Sequence, residues 1–391
     1  MLILNLKQMK KTAVLMAVTA AAISLMICSC SETEYNAPEF PVEREAEWKI
    51  ISDELYVNLT YDMWEYKSYL LVPVADRHTG NYLWIYDKNT GKRVWSGINK
   101  GRGPGETIGG IRKTYFKDGI LTYYDDMKGS TLRYNVDSLL SGSFSYTEDV
   151  YDAPLWTTMI VETGDSRLFV NNVGFASKER HKVSRFELLD ASGDTLELYD
   201  FWPVEDIEER FHIYVSCYRY SPSPDKRKLA IGTSVGAILE TYAVESNSIR
   251  QEAVRFFYEP DIDVSPGGYD YNERTILGFN DIFTTADRLY TAFDGEVNPY
   301  WNDGNRLTYT KIAVFDWDGN PLELIHTDYS IDKMAYSEAE NTIYAAVADR
   351  DGIMYLAKMA LQQPLPDGNC FYGPAVGKGT EHASLRVRGS F

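Results

Sequence analysis

The stretch YLWIYDKNTGKRVW, residues 82–95, contains the pattern that decides the fold. Two runs rich in aromatic and apolar residues flank the loop DKNTGK, in which Asn89 and Gly91 tolerate a positive φ. This arrangement predicts a β-hairpin. The same pattern recurs at five further places, and no long amphipathic helix interrupts the strand-like runs between them. The chain is therefore predicted to be all-β.

The spacing of the hairpins indicates how the strands are organised. Their turns centre near residues 91, 129, 193, 247, 319 and 352. The mean spacing is about 52 residues, close to a propeller blade of roughly 40–50 residues plus its loops. Six such units fit between residues 45 and 362, which predicts a single six-bladed β-propeller of four-stranded antiparallel blades. Tandem β-sandwiches use similar strands and are the alternative architecture.

Closure of the ring is also predicted. A radial array of sheets leaves few exposed strand edges, which favours the propeller for a chain with so many strands. The early run Glu47–Ile51 has strand character and precedes the first hairpin. We expect it to close the ring by pairing into the last blade.

The N-terminus has the layout of a secretory signal. Lys7, Lys10 and Lys11 precede an apolar run, Thr12–Ile27, that is too short to span a bilayer comfortably. Cys30 follows the small residue Ser29, so the segment resembles a bacterial lipoprotein signal. This predicts a signal peptide over residues 1–29, a lipidated Cys30, and a flexible tether over residues 30–44 that attaches the protein to a membrane.

The acidic run that follows Cys30, SETE at residues 31–34, resembles a tag that directs some lipoproteins of Bacteroidota to the outer face of the outer membrane. A solvated tether is the alternative interpretation of this run. The predicted location is therefore the bacterial outer membrane, with exposure on the cell surface as the finer expectation.

Charge restricts the partners of the protein. The full chain has a net charge of −18, and the predicted signal peptide contains three lysines and no acid, so the mature chain is more acidic still. Such a chain is expected to bind neither nucleic acid nor, by charge, an anionic lipid surface. Attachment is then expected through the acyl chains on Cys30.

The remaining cysteines and the C-terminal segment give less information. Cys217 and Cys370 allow one disulfide bond or two free thiols, and the sequence leaves this open. Residues 363–391 contain Pro and Gly and then several basic residues, which predicts a weakly ordered tail outside the propeller.

Two motifs connect the chain to a known family. Residues 101–106, GRGPGE, look like the Gly-x-Gly-Pro-Gly-Glu signature of TolB-like six-bladed β-propeller lipoproteins of Bacteroidota. Residues 221–230, SPSPDKRKLA, resemble a blade opening of TolB-like propellers. Thr107 stands where the family usually has an aromatic residue. The resemblance covers residues 45–362 and implies a fold and a location, but no catalytic residue.

The glycine-rich loop also bears on ligand binding. Arg102 and Glu106 are candidate ligand-binding residues that would line the central channel. A phosphate-binding loop needs Gly-Lys-Ser/Thr, whereas Glu106 occupies the position of that lysine. We therefore predict no nucleotide cofactor. The alternative role is a rigid turn between blades, in which Pro104 fixes φ.

Catalytic motifs are scarce. The five histidines show no metal-ligand spacing, and no Gly-x-Ser-x-Gly elbow occurs. Acidic residues are abundant enough to form an acid/base pair for glycoside cleavage, but the sequence does not mark which two. Neither a metal site nor a catalytic residue is predicted.

Two aromatic loops are the sharpest functional prediction. Tyr269 and Tyr271 lie in YDYNE, and Tyr300 and Trp301 lie in NPYWND, beside acids and amides. Sugars bind to such sets of residues: the apolar face of the sugar ring packs on an aromatic side chain, and its hydroxyl groups form hydrogen bonds with the polar side chains. Packing between blades is the alternative role of these residues.

The sequence therefore favours an anchored binding or scaffold module that recognises a glycan or an envelope protein. The alternative is a propeller enzyme, a lyase or glycosidase, with acid/base residues at the mouth of the central channel. The oligomeric state is left open.

Overall fold

The structure is a computed structural model. It describes residues 34–53, 55, 62–74, 76, 78–108, 114–125, 127–150, 159–162, 166–170, 184–190, 192, 194–203, 213–214, 217–245, 247–265, 268–301 and 306–361. The predicted signal peptide, Cys30, Cys370 and the predicted tail lie outside these residues. The chain divides into two units, Met1–Ala360 and Leu361–Phe391, and every element below belongs to the first.

Consecutive antiparallel strands form the first four sheets. Before them come β1 (Glu43–Glu45) and β2 (Lys49–Ser52), which join sheets formed much later in the chain. The first sheet contains β3 (Trp64–Tyr66), β4 (Tyr69–Pro73), β5 (Asn81–Asp87) and β6 (Arg93–Asn99). The second contains β7 (Thr114–Lys117), β8 (Ile120–Asp125), β9 (Ser130–Asn135) and β10 (Tyr146–Val150). The third contains β11 (Met159–Glu162), β12 (Ser166–Val170), β13 (Phe186–Asp190) and β14 (Thr195–Tyr199). The fourth contains β15 (Tyr218–Pro222), β16 (Lys228–Thr233), β17 (Ala237–Glu245) and β18 (Ser248–Tyr258).

The later sheets take in the two N-terminal strands. A two-stranded ribbon, β19 (Asp263–Ser265) with β20 (Gly268–Asp270), follows the fourth sheet. The fifth sheet contains β21 (Phe279–Thr284), β22 (Arg288–Phe293), β23 (Lys311–Asp316), β24 (Pro321–His326) and, parallel to β24, β1. The sixth contains β25 (Ser330–Ser337), β26 (Thr342–Ala348), β27 (Met354–Ala360) and β2. Two short helical segments are described as well, α1 (Val136–Leu140) and a 3₁₀ turn (Pro299–Trp301).

The hairpin at residues 82–95 forms as predicted, from β5 and β6. Gly91 has a φ of +69° in the turn, and a Cβ there would collide with the backbone carbonyl of Ile51 in β2. Only glycine combines this conformation with so close an approach. The turn therefore packs the first sheet against the strand that completes the sixth.

The ring closes through β2. This strand pairs antiparallel with β27, with Ile50 opposite Ala357, so the predicted pairing of the early strand into the last sheet is confirmed. The first strands of neighbouring sheets lie side by side: β15 contacts β21, β21 contacts β25, and β25 contacts β3. The fold is an all-β propeller with four-stranded antiparallel blades, and the pair of β-sandwiches is not what forms.

The core lies between neighbouring sheets. Between the fourth and fifth sheets, Leu239, Phe279 and Phe315 belong to one buried cluster, with Phe279 and Phe315 both fully buried. Alternation along each strand sends residues to both faces of a blade, and both faces are covered by neighbours. This explains why many blade strands are almost continuously apolar.

The described part of the predicted tether lies on the propeller. Phe40 packs edge-on against Phe315 with ring centroids 5.6 Å apart, and Tyr35 packs likewise against Phe256 at 5.7 Å. Glu43 and Arg44 are already in β1. Docking buries apolar surface of these two aromatic residues, which stabilises the docked segment. A tether surrounded by solvent would leave that surface exposed.

Candidate binding site at the channel mouth

The topology places the beginning of the first strand of each blade at one end of the propeller. In an antiparallel four-stranded blade, the first strand begins on the face where the fourth ends and where the second turns into the third. The starts of β3, β7, β11, β15, β21 and β25 therefore surround one end of the central channel. We call this end the channel mouth.

The first polar group at the mouth is Asp62, two residues before β3 begins. Its carboxylate accepts a hydrogen bond from the Thr114 hydroxyl of β7 at 2.7 Å, which joins the first and second sheets. Burial raises the pKa of Asp62 to about 7, although the bond from Thr114 opposes the rise. The nearby carboxylate of Asp281 raises this pKa further, and Lys333 lowers it. Asp62 thus changes its protonation state near neutral pH.

A second carboxylate, that of Asp281 in β21, interacts electrostatically with Asp62. It accepts a hydrogen bond from the backbone N–H of Met334 at 2.7 Å, and the Lys333 ammonium lies 3.8 Å from it. Burial raises the pKa of Asp281, while Lys333 opposes that rise. The first, fifth and sixth sheets therefore each contribute one ionisable group to the channel.

Arg219 of β15 brings a cation to the mouth. Its guanidinium donates to the backbone carbonyl of Asn280 and, at 2.9 Å, to that of Tyr218. The Asn280 side chain donates in turn to the carbonyls of Ile331 and Asp332, both at 3.2 Å. This chain of hydrogen bonds links the fourth, fifth and sixth sheets and fixes the position of Arg219.

The charge of Arg219 acts on three tyrosines. Burial raises the pKa of Tyr269, Tyr271 and Tyr309, and the Arg219 charge opposes that rise at each of them. The rings of Tyr269 and Tyr271 lie 6.1 Å apart, centroid to centroid, and Tyr271 is 38% exposed. We call Arg219, Tyr269, Tyr271 and Tyr309 the mouth cluster.

Buried polar groups hold the tyrosines in place. The backbone N–H of Tyr309, at a φ of +55°, donates to the carboxylate of Asp294 at 2.7 Å. Asp294 is 1% exposed and pairs with Arg306 at 3.0 Å. The fixed carboxylate stabilises a backbone conformation that tyrosine rarely adopts. Tyr309, like Arg219, is thus held in a fixed position.

Cys217 lies beside the cluster. Burial raises the pKa of its thiol to about 11, although a hydrogen bond with Tyr269 and the charge of Arg219 both lower it. The thiol is buried and free. Its predicted alternative partner, Cys370, lies outside the described residues.

The structure also places the other predicted residues. Arg102 is exposed, and Glu106 folds back so that its carboxylate accepts the backbone N–H of Gly103 at 2.8 Å. Lys128 donates to the carbonyls of Gly103 and Glu106, both at 3.0 Å. These contacts are those of a rigid turn, and within the described part of the chain no recorded contact joins Arg102 or Glu106 to the mouth cluster.

The second predicted aromatic loop lies between β22 and β23, also on the mouth face. Tyr300 is 81% exposed, so it does not pack between blades. Its backbone N–H donates to the Asn298 side chain at 3.1 Å. The side chain of Trp301 lies outside the described residues.

Sequence reasoning found two of the four residues in the mouth cluster, Tyr269 and Tyr271. It missed Arg219 and Tyr309, and it missed the charged groups of the channel. A usable signal was present: polar pairs stand at the start of otherwise apolar strands, as in Tyr218-Arg219, Asn280-Asp281 and Asp332-Lys333.

The described residues contain no group of three or more His, Cys, Asp and Glu side chains that could hold a metal ion. Nor does any helix among them have the length and apolar character needed to cross a membrane.

The pairing of β2 with β27 and the contacts between the first strands of neighbouring sheets define the protein as a β-propeller. The model of the family described as TolB-like 6-blade propeller-like matches residues 39–339, and the chain belongs to this family. No curated protein matches the chain significantly.

Several solved structures are similar to this chain. A Bacteroides fragilis protein described provisionally as exported is 13% identical, with 82% of this chain and 99% of that chain covered and a TM-score of 0.48. A calcium-binding protein, regucalcin, from Agrobacterium tumefaciens is 9% identical, with 83% and 98% covered and a TM-score of 0.44. A gluconolactonase from Xanthomonas campestris is 12% identical, with 80% and 89% covered and a TM-score of 0.42. These likenesses concern the fold alone and carry no argument about activity.

Proposed function

We propose that the protein is a lipoprotein of the outer membrane of a Bacteroidota, anchored through Cys30 and exposed on the cell surface. Its propeller has six blades, one for each sheet of four or more strands, and acts as a binding module. The anchor is supported by the layout of residues 1–30. The blade number is supported by the sheet order and by the description of the family.

The proposed ligand is a glycan, taken at the mouth cluster. The supporting observation is that a guanidinium held in place by neighbouring strands acts by its charge on three tyrosines, two of which have neighbouring rings. Tyrosine rings offer apolar faces to the C–H face of a sugar, and the Arg219 guanidinium offers donors to its hydroxyl or carboxylate groups. A preorganised site of this kind loses little entropy on binding.

Screening the soluble chain from Ser31 against immobilised glycans tests the proposal. Because Tyr271 is partly exposed at the mouth, Tyr271→Ala should weaken binding of the retained glycan about tenfold, which corresponds to about 1.4 kcal/mol. Tyr271→Phe keeps the ring and should retain most of the affinity.

The control is Phe144→Ala, which removes a half-exposed aromatic ring from the connection between β9 and β10, where it lies beside Gly105 of the glycine-rich turn. It should leave the affinity unchanged. Equal affinity of the native chain and Tyr271→Ala would remove the mouth cluster from the binding site. Capture of an envelope protein instead of a glycan would assign the mouth to that second class of partner.

One observation favours a second function. Burial raises the pKa of Asp62 to about 7, and the nearby carboxylate of Asp281 contributes to the rise. A pKa near neutral beside a second carboxyl group is what a general acid or base requires. In a lyase or glycosidase these two groups would share acid/base catalysis at the mouth. Incubation of the retained glycan with the native chain, and with Asp62→Asn, tests this: turnover by the native chain and its loss in the variant support an enzyme.

A further inference from the structure

The described part of the predicted tether is fixed to the same face of the propeller as the channel mouth. The backbone N–H of Asn36 donates to the carbonyl of Phe256 at 3.0 Å, close to the end of β18. The end of a fourth strand lies on the mouth face. Tyr35 packs on a buried cluster that contains Cys217, and Tyr269 of the mouth cluster packs on the same one.

The attachment continues along the fifth sheet. Phe40 packs on Phe315, and β1 pairs with β24 in parallel. The Arg44 guanidinium lies 2.5 Å from the Glu323 carboxylate, and a second polar contact joins Glu43 to His326 at 2.9 Å. We call residues 35–45 the strap, since two aromatic anchors and a strand pairing hold it.

A short stretch of chain separates the strap from the proposed lipid anchor. Four residues lie between Cys30 and Tyr35, so five Cα–Cα steps limit the distance between their Cα atoms to about 18 Å. A propeller of this length has a radius of gyration of roughly 20 Å. The anchor can therefore reach the membrane from the mouth face far more readily than from the opposite face.

We propose that the strap turns the channel mouth toward the bilayer, so that the mouth cluster meets ligands presented at the membrane surface. This inference rests on the proposed lipidation of Cys30. It gives the strap a role that a flexible tether lacks, because a long tether would let both faces point toward the membrane equally often.

Energy transfer from the propeller to the membrane tests the orientation. The fifth sheet offers a matched pair of labelling sites, since Tyr300 lies in the mouth-face loop and Asp318 in the turn at the opposite end of β23. Both are exposed. A strand of six residues separates the two ends by about 20 Å. Tyr300→Cys and Asp318→Cys, each combined with Cys370→Ser, are labelled with one donor dye.

The full lipidated chain is reconstituted into phosphatidylcholine vesicles that contain an acceptor lipid. Transfer from the label at 300 should exceed that from the label at 318 by about twofold or more, given the 20 Å offset. Equal transfer, or greater transfer from 318, overturns the orientation. A 30-residue Gly/Ser insertion after Ser31 should remove the difference, since such a linker spans roughly 30 Å.

Flotation with the vesicles separates this inference from the proposed function. A chain that does not float lacks the anchor, and the orientation fails with it. A chain that floats and shows equal transfer keeps the anchor and loses only the orientation. Glycan binding is measured on the soluble chain from Ser31, so its outcome is independent of both.

Discussion

Replacing Arg185 by Met removes the cation from the most deeply buried ion pair that the described residues contain. Arg185, directly before β13, donates to both carboxylate oxygens of Glu240 in β17, at 2.6 and 2.8 Å. It also donates to the carbonyl of Phe201 at 2.7 Å. The two side chains are 1% and 0% exposed. The pair joins the third sheet to the fourth, which contributes Arg219 to the mouth.

The magnitude follows from what the substitution leaves behind. Arg185→Met leaves the Glu240 carboxylate in the core without its cation, although the Tyr242 hydroxyl still donates to it. Breaking a buried ion pair on one side destabilises a protein by about 3–5 kcal/mol. The double variant Arg185→Met/Glu240→Leu buries no charge and should be destabilised by less than either single variant.

Urea unfolding of the native chain, both single variants and the double variant gives the full cycle. We expect Arg185→Met to lower the free energy of unfolding by about 3–5 kcal/mol. In the double variant, the coupling free energy between the two substitutions should offset most of this loss. A loss below about 1 kcal/mol for Arg185→Met, or additive losses in the double variant, would refute the buried-pair argument.

Three further predictions concern pH, the glycine-rich turn and the buried thiol. Because burial raises the pKa of Asp62 to about 7 in the folded state, its contribution to stability is present below about pH 4 and is lost as the pH rises to about 7. The unfolding free energy of the native chain, minus that of Asp62→Asn, should therefore fall across this range in urea titrations; a constant difference would exclude the raised pKa. Glu106→Ala removes the acceptor of the Gly103 N–H and should lower the unfolding free energy by about 1 kcal/mol, and an unchanged value would show that water replaces the carboxylate. With Cys370→Ser in the background, Cys217 should react with a thiol reagent only after unfolding in urea, whereas rapid reaction of the folded chain would contradict its burial.

The fold was largely predictable from the sequence because its signals are local. The loop around Gly91 has to turn, and the flanking apolar runs have to bury their side chains in sheets. The closing strand β2 could be predicted too, since an early strand without a neighbouring partner needs one elsewhere.

The candidate site was only partly predictable because it is not local. Tyr269 and Tyr271 are two residues apart and formed a visible aromatic pattern. Arg219, Asp62 and Asp281 are far apart in sequence, and only ring closure brings their strands together. Nothing in a single strand shows which of many charged residues will face the channel.

The glycine-rich loop shows the opposite case. Arg102 and Glu106 stood out in the sequence because the motif is unusual. The structure gives Glu106 a local task, since its carboxylate closes its own turn and Lys128 secures that turn. A conspicuous motif can thus serve the backbone conformation.

A crystal structure of the soluble chain with the glycan retained in the screen would locate the binding site. We expect a sugar ring within about 4 Å of the Tyr271 ring, with a hydroxyl or carboxylate group of the glycan hydrogen-bonded to Arg219. A glycan bound on the outer edge of a blade, or the absence of any retained glycan, would contradict the claim that the channel mouth is a glycan-binding site.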